Sequence, residues 1–482
     1  MAGRIIAQPA VSLDLVRRIV NADLAMLDDQ SNPYPYLAEA LPQLNSGSWK
    51  VFPDGRMETT YHLRPNLVWH DGTPLTADDF VFSLQVYNLP EVGQANSVPF
   101  KAIASVEASD ERTILIHWNQ PYAAAGALQS LGSSGPIGLP ALPRHLLSSA
   151  LDAGAQALIN SPFWTQDYVG LGPYKLERWE SGAFLEASAF DRHALGAPKI
   201  QRIKIQFMPD PNAALASMLA GEIQMAADSA LPLAQALNLI HQWAPGTGTM
   251  VSSSSSWIAG HFQNRPDFVT PATLKDVRVR QALYLAADRQ GINDALWEGQ
   301  VRIADSMFPS SSELGRAVDA ATTKYPFDLS RSAQLMTEAG FIRGTDGFFV
   351  GPNGEKFLAE LRTEDRADRV APMTALASGW RKGGFDFTEY VVPNAQTQDN
   401  QVKSSYPGIL MSATAGGENA FNSMGTSNVS RPENQWRGSA WDGYANPELD
   451  RLIAAFTTAL DPADRVRVAS DIVRLYSREL PS

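Results

Sequence analysis

The stretch "IKIQFMPDPNAALASMLAGEIQMA", Ile203 to Ala226, decides the fold class. "IKIQF" alternates, placing Ile203, Ile205 and Phe207 on one face of a strand. Asp210 stands where a helix N-cap belongs, and Pro211 takes the first helical position, where its missing N–H costs nothing. Leu215, Met218 and Leu219 follow at i, i+3 and i+4, and Gly221 is placed to stop the helix. "EIQMA" then resumes extended structure. The reading is strand–helix–strand, so at least one domain is α/β.

The pattern continues outward. Upstream, "YKLERW" (Tyr174–Trp179), a turn at Ser181–Gly182 and "AFLEASAF" read as a hairpin. Downstream, a helix starts near Asp276, with Val279, Ala282, Leu283 and Ala286 in one stripe. Ile292, Ala295 and Leu296 extend it after a slight break, and Gly299 ends it. "DLSRSAQLMTEAGF" predicts a helix with Leu335, Met336 and Ala339 inward and Gly340 after its end. "NPELDRLIAAF" opens another at Asn446–Pro447.

At 482 residues the chain has room for about three domains. A net charge of -12 argues against a protein that grips nucleic acid by its phosphates. Apolar runs such as "FLEASAF" are too short or too mixed to span a bilayer. The chain has no cysteine, which removes disulfides, thiol catalysis and cysteine-held metal clusters. The start, "MAGRIIAQPAVSLDLVRR", shows no signal peptide, as expected for a cytosolic chain or a processed form. "SSSSS" at Ser252–Ser256 reads as a polar strand between domains or a flexible linker.

Catalytic patterns are absent. His62, His70, His117, His145, His193, His241 and His261 lack the close spacing of a zinc site. "GSSGP" at Gly132–Pro136 fails the spacing of a nucleophile elbow, and "GTG" at Gly246–Gly248 lacks the third glycine of a dinucleotide fingerprint. No cofactor is expected.

Two segments hold the densest polar chemistry. "WHDGTPLTADDF" (Trp69–Phe80) looks like a site, yet reads locally as a turn at Asp71–Gly72 and a helix start. Thr76 lies three residues before Asp79, so its hydroxyl is expected to accept from the Asp79 N–H. Phe80, Leu84 and Tyr87 then share one side of the helix, and His70 and Asp71 are assigned no chemical role. "ENQWRGSAWDGYANPE" carries Trp436 and Trp441 among Arg, Asn, Gly and Tyr. Such a loop presents flat faces to a ligand, or anchors itself to a core by its tryptophans.

Six segments in order resemble one family, the peptide/nickel-type extracytoplasmic solute-binding proteins (family 5) of ABC importers. They are "YHLRPNLVWHDGTPLTADDFVFSLQVY", "GLGPYKLERWESG", "FMPDPNAALASMLAGEIQMA", "FQNRPDF…LKDVRVRQALYLAADRQGINDALWEGQ", "YPFDLSRSAQLMTEAGF" and "WDGYANPELDRLI". Gln224 replaces an acidic residue usual in the third. The resemblance spans about Leu37 to Leu480.

It implies an α/β protein of the two-lobed periplasmic-binding-protein type, with a hinge and an extra subdomain inserted in lobe I. The implied bounds are 1–36 for the first part of the lobe I core, 37–168 for the inserted subdomain, 169–262 for the second part of the core and 263–482 for lobe II. The family's C-terminal return to lobe I has no counterpart after "YSRELPS", and a chain shortened at both ends is expected. The resemblance further implies an extracytoplasmic monomer that encloses a solute between lobes and hands it to ABC permease subunits in the membrane.

Peptide-binding members often hold the ligand's amino group with an aspartate in a segment resembling "YPGILMSATAGGENAF", where Glu418 is the only acid. The expected ligand contacts are Glu418, Trp436, Arg437 and Trp441, with Trp257 and Asn264 near the crossing between lobes. Their bland counterparts are a solvated glutamate, packed tryptophans and a turn-capping asparagine. An oligopeptide is the first choice of solute and an oligosaccharide the alternative. Free nickel is not expected without a histidine cluster. A hydrolase, or a sensor or chaperone on the same fold, is the competing reading.

Overall fold

The computed structural model describes residues 11–28, 32–95, 99–129, 138–227, 230–244, 246–251, 256–309 and 312–482. Gly132–Pro136 and most of Ser252–Ser256 lie outside them. The chain divides into two compact units, Met1–Leu231 with Thr457–Asp461, and Pro232–Phe456 with Pro462–Ser482. Among the described residues no helix is long and apolar enough to cross a membrane.

In the first unit, β1 (Trp49–Val51), β2 (Met57–His62), β3 (Ile103–Asp110) and β4 (Thr113–Trp118) form an antiparallel sheet in the order β1-β2-β4-β3. Alternation drives it: Met57, Thr59 and Tyr61 of β2 and Ile114, Ile116 and Trp118 of β4 are all buried. Trp118 Nε1 donates to Thr59 Oγ1 at 2.9 Å and the Tyr61 hydroxyl to the Ala125 carbonyl at 2.6 Å, so these large side chains bury without stranding a donor. Helix α1 (Ala77–Tyr87) adds Phe80, Leu84 and Tyr87 to the core, together with Phe82 and Val86. A ring buried to this degree is worth roughly 1.5–3 kcal/mol.

A three-stranded antiparallel sheet follows: β5 (Tyr174–Glu180), β6 (Phe184–Ala189) and β7 (Arg202–Gln206), in that order. The expected hairpin is there, with Gly182 at φ +78° in its turn. Helix α2 (Pro211–Leu219) is capped as expected, the Asp210 carboxylate accepting from the Asn212 N–H at 2.9 Å. Two expectations from the opening stretch fail. The inward residues of α2 are Ala214 and Met218, while Leu219 is 41% exposed. "EIQMA" forms no strand: Gln224 folds back to the Gly221 carbonyl (2.9 Å) and Met225 is 68% exposed. Among the described residues no strand pairs with the free edge of β7, so the local pattern had no partner to recruit there.

The α/β unit lies in the second half. There β8 (Ser256–Phe262), β9 (Leu358–Glu364), β10 (Asp386–Val392) and β11 (Ile409–Ala415) form a mixed sheet in the order β8-β11-β9-β10. β9 is parallel to both β10 and β11, and helix α6 (Ala367–Lys382) joins β9 to β10 as a crossover. One face of the sheet packs Leu361, Phe387, Ile409 and Met411 against Trp380 of α6 and against α3 (Val277–Leu285) and α5 (Leu329–Glu338). β8 was expected to close lobe I at residue 262. It is instead hydrogen-bonded to β11 from Ser256↔Ala415 to Phe262↔Ile409, and Phe262 is in this core, so residues 232–262 belong with the second unit.

The helix expected from Asp276 to Gly299 is two helices, α3 and α4 (Arg289–Trp297). Asp288 causes the break by capping α4, accepting from the Gly291 N–H at 2.9 Å. A second apolar cluster joins α8 (Pro447–Thr458) and α9 (Pro462–Glu479) through Leu449, Phe456, Val468 and Ile472. The Asn446 side chain caps α8, and buried Arg280 donates to the Glu479 carbonyl at the end of α9.

Candidate functional site

All six expected contact residues lie in the second unit. Trp257 pairs in register with Thr414 and packs partly buried against the cluster around Phe421 and Phe456. Glu418, just past β11, is exposed and ion-paired with Arg465. Its carboxylate is therefore already engaged. Arg437 is exposed, and its backbone N–H closes a turn on the Asn434 carbonyl at 3.1 Å.

Asn264, Trp436 and Trp441 are brought together. The Asn264 side chain donates to the Phe262 carbonyl and its N–H to the Asp442 carbonyl, both at 2.8 Å, so it fastens the chain beside Trp441. Both tryptophans are half-buried. Trp436 leans on Phe268 with ring centres 6.1 Å apart, and the Arg265 guanidinium lies 6.0 Å from its ring. Trp441 meets His261 edge-on at 6.4 Å, and the Lys403 ammonium lies 5.6 Å from its ring centre.

The hub of this arrangement is Arg265, which the sequence reading passed over inside "FQNRPDF". Its guanidinium donates to the Trp441 carbonyl (2.6 Å), the Ser430 carbonyl (2.6 Å) and the Ser404 carbonyl (2.9 Å). Gln263 supports it and also donates to the Ser404 and Tyr406 carbonyls. Ser430 donates to the Trp436 carbonyl at 2.8 Å. The tryptophan-rich loop is thus fixed by backbone carbonyls converging on one cation. Gln435 and Trp436 are both left-handed, at φ +55° and +61°, a conformation held by the bonds from their N–H groups to Pro432 and Arg431.

Beneath the loop lies buried polar chemistry. Burial pushes the Asp442 carboxyl up to about 6, against the opposing pull of the Tyr444 N–H and Arg265. Burial lowers the His261 imidazole to about 4, and its Nε2 meets Thr414 Oγ1 at 3.0 Å. Among the described residues no group of three His, Asp or Glu side chains is placed to hold a metal ion.

The segment that looked most like a site, Trp69–Phe80, is structural. His70 is buried; its Nδ1 accepts from the Gly170 N–H (3.2 Å), which leaves Nε2–H to donate to the Gly172 carbonyl (2.9 Å). Burial lowers it to about 4. His70 therefore ties "WHDG" to "GLGPY". A Cβ on Gly170 would fall 1.9 Å from the Val20 carbonyl oxygen, so only glycine allows that approach. Asp71 accepts from the Thr73 N–H and pairs with His145 at 2.7 Å.

Known proteins share this architecture. NikZ from Campylobacter jejuni, solved with Ni(L-His), superposes with a TM-score of 0.75 at 24% identity, over 99% of this chain and 89% of that one. The oligopeptide-binding protein of Thermus thermophilus, solved with a pentapeptide, gives 0.72 at 21% identity, over 100% and 87%. These likenesses establish the fold, the mixed α/β architecture of two-lobed periplasmic binding proteins. The oligopeptide-binding protein AppA of Bacillus subtilis is 24% identical over 354 residues, 72% of this chain and 59% of AppA. Relatives from Brucella, whose names give peptide binding in an ABC transporter, are 27% identical over 296 residues, 61% of this chain. The chain spans about half the length (51%) of those relatives. Residues 33–435 match the bacterial extracellular solute-binding proteins, family 5, and the chain belongs to that family.

Proposed function

We propose that the chain is the solute-binding component of an ABC importer, capturing an oligopeptide-like solute and delivering it to a membrane permease. The observation that carries this reading is the family match over residues 33–435. The family is a substrate-binding part of transport systems, and the chain is proposed to bind without turnover. An extracytoplasmic location, a monomeric state and contact with permease subunits belong to the same proposal. Within the first unit we propose a core part over 1–36, an inserted subdomain over 37–168 and a second core part from 169.

The proposed contacts are Trp436, Arg437 and Trp441, with Trp257 and Asn264 beside them and Glu418 after release from Arg465. An oligosaccharide is the second reading, favoured by the two half-buried tryptophan rings on one loop. A related oligopeptide-binding protein from Thermotoga maritima was solved with mannohexaose. Mass spectrometry of solute released from purified protein, followed by calorimetric titration of peptides and oligosaccharides, tests both. Peptides are expected in the released fraction. A sugar in their place favours the second reading, and chemical conversion of any bound solute overturns the binding-protein reading.

A further inference from the structure

Asp442 stands in the tryptophan-rich loop between Trp441 and Gly443, with its side chain buried. From elsewhere in the chain its carboxyl accepts one N–H, that of Tyr444 at 3.0 Å. Among the described residues no cation lies within ion-pairing distance of it. Arg265 nevertheless runs beside it: a Cβ on Gly443 would fall 2.5 Å from Arg265 Cγ, so glycine at 443 lets that side chain cross the backbone next to the carboxyl. The hydrogen bonds of the guanidinium go to Gln263 Oε1 and to the carbonyls of Trp441, Ser430 and Ser404, the last residue of α7 (Asn400–Ser404).

A second donor near the carboxyl is idle. The Tyr406 side chain is fully buried, and its hydroxyl has no hydrogen-bond partner among the described residues. A sealed hydroxyl without a partner is uncommon. Burial raises this phenol, and the largest charge acting on it is that of Asp442. Tyr476 of α9 is raised in the same way, with its hydroxyl bonded to Ser482. Burial also raises Tyr444, whose hydroxyl accepts from Asn446 at 2.9 Å. The titratable groups facing Asp442 are therefore Arg265 and three phenols, with Arg431 acting on Arg265 from the same loop. His261, at the edge of Trp441, is lowered to about 4 by burial. From about pH 5 to 8 the phenols and the imidazole stay neutral and the arginine stays charged, so Asp442 is the member that titrates.

A protonated Asp442 suits this setting, because it is neutral and leaves Arg265 to the three carbonyls. An ionised Asp442 is a buried anion with too few donors. The donors at hand are the Arg265 guanidinium and the Tyr406 hydroxyl. Drawing Arg265 toward the carboxylate takes it from the carbonyls of Ser404, Ser430 and Trp441. We propose that one proton on Asp442 switches the tryptophan-rich loop between two sets of bonds, clamped by Arg265 when the carboxyl is protonated and loosened when the carboxylate recruits Arg265 and Tyr406. Burial raises the carboxyl from its ordinary 3.8 to about 6, so the preference for the clamped set is complete below 3.8 and is lost as the pH rises through about 6. The consequence for solute rests on the solute-capture reading. A loop that holds Trp436 and Trp441 in place binds solute more tightly, so binding takes up a proton and weakens as the pH rises.

The test is a pH titration of the full chain read by near-ultraviolet circular dichroism, which senses the surroundings of the tryptophans. Beside it, calorimetry follows binding of the tripeptide Ala-Leu-Ala at pH 5 and pH 7. The variants are Asp442→Asn and Tyr406→Phe, with far-ultraviolet dichroism and melting temperature checking the fold. The wild-type signal is expected to titrate with a midpoint near 6. Asp442→Asn should hold the low-pH signal throughout, and Tyr406→Phe should move the midpoint to higher pH, because the carboxylate loses a donor. The tripeptide should bind at least about 5-fold more tightly at pH 5 than at pH 7, and alike at both in Asp442→Asn. A wild-type signal that does not titrate, or a titration that survives in Asp442→Asn, overturns the switch. If Asp442→Asn does not fold, an unmoved midpoint in Tyr406→Phe overturns it instead. Tripeptide bound alike at both pH values by a titrating wild type overturns the link to solute and leaves solute capture standing. A titration abolished by Asp442→Asn, with no peptide or oligosaccharide bound at either pH, supports the switch and overturns solute capture.

Discussion

Asp79 shows how one side chain carries a local fold. Its buried carboxylate accepts from the Thr76 N–H (3.0 Å), the Arg144 N–H (3.0 Å) and Trp69 Nε1 (3.3 Å). The Asp79 N–H donates to the Thr76 carbonyl at 3.1 Å and also faces the Thr76 side chain, so the expected capping box is formed. Thr76→Ala should therefore cost ~1 kcal/mol through the lost cap, and Asp79→Ala about 3 kcal/mol, because it strands three donors. Urea unfolding of both variants checks the order. His70 has a pH signature. Its folded value, about 4, lies below its ordinary 6.5, so the unfolded chain binds more protons in that interval. Its contribution, about 3 kcal/mol, is present above pH 6.5 and lost as the pH falls toward 4. His70→Gln is thus expected to cost more at pH 7 than at pH 4.5, read from denaturation midpoints. Sequence spacing made the helix start at Ala77 legible. It left His70 mute, because its partners Gly170 and Gly172 are a hundred residues away and only the folded backbone brings them near.

Elements formed where local and tertiary demands agreed. The β5–β6 hairpin, the Asp210 cap and the two helices opened by Asp328 and Asn446 all follow their sequence pattern. "EIQMA" had the pattern without a neighbouring strand, and the pattern lost. The loop over residues 430–444 is the reverse case: its tryptophans were visible in sequence and its anchor was not. Arg265→Gln should release the carbonyls of Ser404, Ser430 and Trp441, raising hydrogen exchange across 428–444 at least about tenfold with the sheet protected. Asp442 adds a pH sense opposite to that of His70. Its carboxyl is raised to about 6, so the folded state favours its protonated form. The loop is expected to loosen as pH rises from about 4 through 6, and Asp442→Asn to flatten that response. Exchange rates at pH 5 and 7, corrected for intrinsic chemistry, measure it.

At the scale of the molecule, each unit owns its core. Trp118 and Phe80 sit in one, Leu361 and Trp380 in the other. Denaturation is expected in two steps, with Trp118→Ala lowering one transition and Leu361→Ala the other, each by about 2–5 kcal/mol. A single transition shifted equally by both would contradict this. Six ordered motifs made family and fold legible, because the spacing of turns and caps is set by the backbone. Ligand chemistry was less legible: Glu418 gave no hint of Arg465, 47 residues further along the chain. Trp441 has one more consequence. Of the 11 tryptophans, it has an ammonium over its ring and an imidazole at its edge, two quenchers whose distance sets how brightly it emits. Anything that draws Lys403 away should brighten the protein's ultraviolet fluorescence, and Trp441→Phe should silence that signal. Trp441 thus reports the position of Lys403 without a label.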